Sequence, residues 1–314
     1  MESLIFSLNA TVPIFMMMVL GILFKKIGWI DDIFASKMNK FVFLIPLPLL
    51  LFKDLATVDF VEVWDIRFVG FCFIATLLSI MIAFAISCFL QERNLRGEFI
   101  QASYRSSAAL LGIALIQNIY GTSTMTPLMI IGSVPLYNVM AVAVLSFFGC
   151  QERGLNQSKI KKTLFGIITN PIIIGIIAGL LWSLLELPMP VVLDKTVSSM
   201  SAMATPMGLI AMGATFDITK AVAKMKITFV ASFMKLFGFC ILFLPIAICL
   251  GFHHEQLIAI LVMLGSATTV SCFVMAKNMG YEGVLSSSVI MMTTLMSGFS
   301  LTLWLSILRS FHFI

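Results

Sequence analysis

Charge is what this sequence has least of. Only 11% of its 314 residues are Asp, Glu, Lys or Arg, while 60% are hydrophobic. The mean hydropathy of +1.06 lies far above the range of water-soluble chains. No polar stretch is left over that could form a separate soluble domain, which weighs against a sensor or partner-binding membrane protein. The net charge of +5 needs no nucleic-acid partner to explain it. In a chain this apolar, excess Lys and Arg marks loops on the cytoplasmic side of a membrane.

Further absences narrow the class. The six cysteines (Cys72, Cys88, Cys150, Cys240, Cys249 and Cys272) lie in or beside apolar runs and show no CxxC spacing. They read as packing residues, with no disulfide, metal or other cofactor expected. No Ser–His, paired-Asp or HExxH arrangement lies at membrane depth, so the chain does not read as an intramembrane enzyme. The first apolar run lacks a basic n-region and a clear small-residue cleavage site, so it reads as a retained first helix.

What remains is a succession of apolar runs of about 20 residues, each able to span a hydrocarbon core of ~30 Å. Ten spans are expected, at about 4–24, 35–54, 67–90, 98–119, 125–148, 163–185, 191–216, 227–250, 255–276 and 284–308. Only helices fit, because open strands cannot satisfy their backbone in lipid. The fold class is therefore an all-α polytopic membrane protein. With the N-terminus outside, the inner loops collect fourteen basic residues and the outer side four: Lys53, Arg67, Lys195 and Arg309. That imbalance predicts a multi-pass protein of the cell membrane with both termini extracellular. The acidic residues all fall in loops or at span ends.

The chain repeats. At an offset of 158 residues Pro13 meets Pro171, Gly21 meets Gly179 and Pro48 meets Pro206. Ala56-Thr57-x-Asp59 meets Ala214-Thr215-x-Asp217 at the same offset. With one residue inserted, Ser107-Ala108 meets Ser266-Ala267. Residues 1–150 and 151–314 thus read as two halves of five spans each. An odd number of spans forces opposite insertion, giving an inverted-topology repeat.

Polar interruptions sit at corresponding places in the halves. The first is Ala102-Ser103-Tyr104-Arg105-Ser106-Ser107-Ala108-Ala109-Leu110-Leu111-Gly112, and the second is Gly265-Ser266-Ala267-Thr268-Thr269-Val270-Ser271. Small residues also occur wherever membrane helices pack closely. Their correspondence in the repeat favours broken helices, non-helical over 106–112 and 265–271, that meet near the midplane. Unwound segments expose N–H groups, and the N-termini of half-helices favour anions. The candidate substrate contacts there are Ser106, Ser107, Gly112, Gly265, Ser266, Thr268 and Thr269.

Arg105 is seven residues past Glu98, roughly 10 Å deep at helical rise. It reads either as a cation for an anionic substrate or as a residue that snorkels or neutralises a helix end. Lys235 lies nine residues past Lys226, at about 13 Å. It reads first as a neutraliser of half-helix C-termini, with substrate attraction and an interior lysine without a role as the other readings. Asn138, near mid-depth, must find a partner for its amide, either another helix or substrate. Tyr137 is placed at the same cavity. Pro46, Pro48, Pro171 and Pro206 are expected to kink their helices.

Several stretches resemble the auxin efflux carrier family, whose members include bacterial malate and other carboxylate permeases and plant PIN-type carriers. Met38-Asn39-Lys40-Phe41-Val42-Phe43 with Pro48-Leu49-Leu50-Leu51-Phe52 is similar to its second helix, and Tyr104-Arg105-Ser106 through Gly112 to its interrupted fourth. Asn170-Pro171 with Gly179 resembles the sixth. The run from Thr205-Pro206-Met207-Gly208 to Ala214 resembles the seventh, and Lys235-Leu236 with Pro245 the eighth. The resemblance implies crossed broken helices 4 and 9 with a carboxylate substrate at the crossing. It also implies a scaffold of spans 1, 2, 6 and 7 that forms a homodimer, and a transport domain of spans 3–5 and 8–10. Ser106 and Ser107 stand where an Asn is often found, and Thr268 and Thr269 where a Pro is common.

The reading that results is a secondary transporter of small organic anions, mono- or dicarboxylates such as malate or auxin-like weak acids. It would work by alternating access in the lipid bilayer. The alternative is a cation/proton antiporter on the same crossed-helix fold, which would want an Asp in the fifth span. None lies between Thr126 and Phe148. The lack of carboxylates within the spans argues against a protein-borne Asp or Glu proton relay.

Overall fold

The computed structural model describes residues 2–56, 65–108, 115–117, 119–120, 125–149 and 168–314. Every regular element among the described residues is a helix. The first half supplies α1 (Glu2–Ile27), α2 (Asp32–Leu44), α3 (Pro46–Ala56), α4 (Ile66–Ser87), α5 (Arg93–Tyr104) and α6 (Met125–Gly149). The second supplies α7 (Pro171–Leu184), α8 (Val191–Ala202), α9 (Ala204–Ala214) and the short α10 (Ile218–Ala223). It continues through α11 (Met225–Phe233), a π-helical turn (Met234–Gly238), α12 (Phe239–Cys249), α13 (Glu255–Gly265), α14 (Ser271–Asn278) and α15 (Val284–Ser310). Six helical stretches among the described residues are long and apolar enough to cross a membrane: Asp32–Ala56, Ile66–Ser87, Met125–Gly149, Val191–Ala214, Met225–Cys249 and Val284–Ser310.

The sparse acidic residues mostly start helices. The Asp31 carboxylate accepts from Phe34 N at 2.6 Å. Asp65 accepts from Arg67 N and Phe68 N at 3.0 and 3.1 Å, and Asp217 from Lys220 N at 3.1 Å. Each satisfies N–H groups that a helix start leaves unpaired and favours the positive end of the dipole. Glu98 does this across the fold. It lies within α5, 1% exposed, and accepts from Gly283 N, Ser286 N and Ser286 Oγ at 3.2, 2.9 and 2.9 Å. A residue expected at the edge of a span is thus a buried cap on α15.

Two helix breaks fall just before prolines. The span expected at 35–54 is two helices, α2 and α3, parted at Ile45 (φ −127°, ψ −68°). The span at 191–216 is α8 and α9, parted at Met203. Pro46, Pro48 and Pro206 deprive the turn before them of its hydrogen bonds, which places the breaks there. They lie in the first turn after the breaks, where a missing N–H costs no bond within the piece. Pro171 likewise opens α7, with the Asn170 side chain accepting from Ile172 N at 3.0 Å. It begins a helix and does not kink one.

Two close helix pairs are held by glycine. A Cβ on Gly175 would lie 2.5 Å from the Pro48 carbonyl oxygen, and one on Gly179 2.7 Å from that of Phe52, so α7 and α3 touch backbone to backbone. On α1 and α9, a Cβ on Gly21 would come within 2.3 Å of the Ile210 oxygen, and one on Gly213 within 2.1 Å of the Met18 oxygen. Small residues let membrane helices approach this closely. α13 packs against α4, α6, α12, α15 and the π-helical turn, and its residues from Leu257 to Met263 are all fully buried. A helix apolar all round belongs in such a core.

Candidate functional site

Two interruptions of helical backbone meet inside the molecule. α5 stops at Tyr104, and Arg105 is extended (φ −74°, ψ 134°). Residues 105–107 are non-helical, and Ala108 is helical again. α13 stops at Gly265, Ser266 is extended (φ −78°, ψ 166°), and helix resumes at Ser271. The first break thus begins one residue before Ser106, and the second is shorter than 265–271. Gly112 lies outside the described residues.

The breaks cross in contact. Ser107 N donates to the Ala267 carbonyl at 3.0 Å. Thr268 Oγ1 donates to the Ala102 carbonyl at 2.9 Å, and Thr268 N donates to Thr293 Oγ1 at 3.1 Å. Ser106 Oγ donates to the Met263 carbonyl. Buried backbone groups need partners, and hydroxyls from the opposite break provide several of them.

Lys235 lies under this crossing. The π-helical turn presents a fully buried ammonium to the carbonyls of Leu264, Met263 and Tyr104 at 2.7, 3.3 and 3.4 Å, and to Ser106 Oγ. Those carbonyls are the C-terminal ends of α13 and α5. Helix C-termini carry partial negative charge, so one cation sits against both. Lys235 is absent from the cavity described next.

Beside the crossing is a cavity of about 220 Å³. Arg105, Ser106, Ser107, Tyr137, Asn138 and Thr269 line it. Gly265, Ser266 and Thr268, expected alongside them, do not line it. Thr268 is spent on the crossing, and a Cβ on Gly265 would lie 2.6 Å from Cys240 Sγ, so that glycine serves close packing. Ser266 is fully buried.

Arg105 is 2% exposed. Its Nη2 donates to Asn138 Oδ1 at 2.6 Å and to Ser271 Oγ at 2.7 Å. Nη1 approaches Gln101 Oε1 at 3.5 Å and the Met275 sulfur. Nε finds no partner among the described residues, nor does any carboxylate there reach ion-pair distance of the guanidinium. Asn138 can serve Arg105 because its own amide donates to the Val134 carbonyl at 2.9 Å. Tyr137 is tied down by its hydroxyl, which donates to the Met263 carbonyl at 3.0 Å. The result is a fixed, buried cation whose partners are all neutral.

A family model described as membrane transport protein matches residues 6–305. The chain belongs to the auxin efflux carrier family. A comparison with curated proteins found no match. As a family member this carrier is a multi-pass membrane transporter with a small-molecule substrate, not an enzyme.

Sequence reasoning missed three residues of this candidate site. Gln101 and Ser271 hold Arg105, and Asp54 of α3 lines the cavity. Gln101 had a signal, since it lies four residues before Arg105 on one helix face. Asp54 looked like the harmless end of a span. Like Glu98, it stands at the end of an expected span yet lies within a helix of the structure.

Proposed function

We propose that this carrier is a secondary transporter of small organic anions, working by alternating access. The observation that carries the reading is Arg105, a buried guanidinium on the wall of a cavity with only neutral side chains bonded to it. A buried charge left in that state favours an anionic ligand. The N-terminus of α14 opens on the same cavity through Thr269 and Ser271 and adds positive potential. Ser107, Asn138 and Tyr137 complete the substrate site, and Lys235 neutralises the helix ends at the crossing without touching substrate.

Part of the cavity's wall comes from Val42, Leu47, Leu50, Leu51, Ala204 and Thr205, on α2, α3 and α9. In our reading these helices, with α1, α7 and α8, form a fixed scaffold that dimerises, and the crossing moves against it. Ten membrane spans in two inverted halves, 1–150 and 151–314, underlie this motion. In support, helix ends recur at a nearly constant offset. Ile45 and Met203 part their helices 158 residues apart, and α4 and α11 begin 159 apart. The glycine pairs are reciprocal too: α1 packs on α9 of the second half, and α7 on α3 of the first. Both termini would be extracellular in the cell membrane.

The test is uptake of radiolabelled carboxylates into proteoliposomes holding the purified carrier. Saturable uptake of a small carboxylate, lost in Arg105→Gln, supports the reading. Transport of cations alone, or none of any carboxylate, would sink it.

A further inference from the structure

The cavity has a second charged wall. Asp54, in the last turn of α3, lines it along with Arg105, while the adjacent Lys53 does not. A carboxylate at a helix C-terminus faces the negative end of the dipole and costs stability there. Residues that break such a local rule without structural return tend to mark function. Much of the remaining lining is apolar, with Leu47, Leu50 and Val270 among it.

Building on the reading of this cavity as an anion site, we propose that Asp54 determines the substrate class. It selects small monocarboxylates that carry a hydrogen-bond donor at the far end, and it rejects dicarboxylates. Arg105 takes the carboxylate. In a cavity of about 220 Å³, the far end of the molecule comes to the Asp54 wall. A hydroxyl or N–H there donates to the Asp54 carboxylate in a charge-assisted bond. A second carboxylate meets a like charge across apolar surroundings that screen it poorly. Selection by a repulsive element of this kind is a general route to specificity.

A matched pair of substrates tests this. 4-Hydroxybutyrate and succinate share a four-carbon chain and differ at one end, hydroxyl against carboxylate. Initial uptake of each is measured at pH 7 in the same proteoliposome preparation, so the ratio does not depend on how much protein is folded. Wild type is expected to favour 4-hydroxybutyrate by about tenfold or more, and Asp54→Asn to reduce the ratio by about tenfold. Asp54→Glu, which keeps the charge, should retain the preference. An unchanged ratio in Asp54→Asn, or succinate transported by wild type as fast as 4-hydroxybutyrate, overturns the proposal. No uptake of either substrate overturns it as well. Arg105→Gln separates the two readings. If that variant transports normally, the anion site itself is wrong. If it is inactive while Asp54→Asn keeps the wild-type ratio, only the role of Asp54 fails.

Discussion

Arg105 and Lys235 are both buried cations within an apolar fold, yet their surroundings assign them different work. Arg105 borders a cavity with neutral partners, so its loss should be felt in transport. Losing even one charge-assisted bond to a carboxylate substrate, worth about 1.5–3 kcal/mol, predicts that Arg105→Gln slows uptake at least tenfold. The melting temperature in detergent should hardly move, because Asn138 and Ser271 can turn to cavity water. Lys235 does not line that cavity and satisfies three carbonyls and a hydroxyl. Lys235→Met should deprive the Leu264 and Tyr104 carbonyls of their side-chain donor at roughly 1–3 kcal/mol each, while the Met263 carbonyl keeps Ser106 and Tyr137. Thermal melting of the purified variant checks this, and a melting temperature equal to wild type would show that the crossing does not need the charge. The presence of both cations was legible in the sequence, and so was their unusual depth. Their division of labour was not, because it depends on what lies across from each one.

The helices show the same mixture. Their breaks follow local chemistry: prolines just past Ile45 and Met203, and small polar residues at 105–107 and 266–270. Their pairings follow the close contacts of a few glycines. Gly213→Ala would place a methyl 2.1 Å from the Met18 carbonyl oxygen and must push α1 and α9 apart. We expect a destabilisation of about 1–3 kcal/mol or more, as for overpacked cores. Gly70, within α4, has nothing within 4 Å of a Cβ built on it. Gly70→Ala should instead gain roughly 0.5–1 kcal/mol from helix propensity. Unfolding of the two variants side by side in the same detergent measures the contrast. Equal effects would mean that these glycines are not what brings the helices together.

At the scale of the molecule, the proposed inverted arrangement predicts opposite sides for two exposed cysteines. Cys88 follows α4 and Cys249 ends α12, and both are exposed and free. With the N-terminus outside, Cys249 should react with a membrane-impermeant maleimide in intact cells. Cys88 should react only after permeabilisation. Mass spectrometry of the labelled protein reads both at once, and the reverse pattern would invert the topology. The scaffold reading further predicts a dimer in lipid nanodiscs, to be weighed by native mass measurement. A monomer there would leave α1, α3, α7 and α9 without the assembly assigned to them.

The sequence alone determined that the chain is built of membrane helices and where several of them start and break. These are properties of composition and spacing within a few turns, and a bilayer leaves the backbone few alternatives to the helix. Tertiary structure decided which residues face one another. Ser107 meets Ala267, and Lys235 meets the ends of two helices remote from it in sequence. Glu98 closes the start of α15, and Asp54 turns out to share a cavity with Arg105. Periodicity marks an apolar residue as buried, but it cannot say what a buried polar group is bonded to. That is settled only when helices distant in the chain pack and each polar group must find a partner among the neighbours it is given.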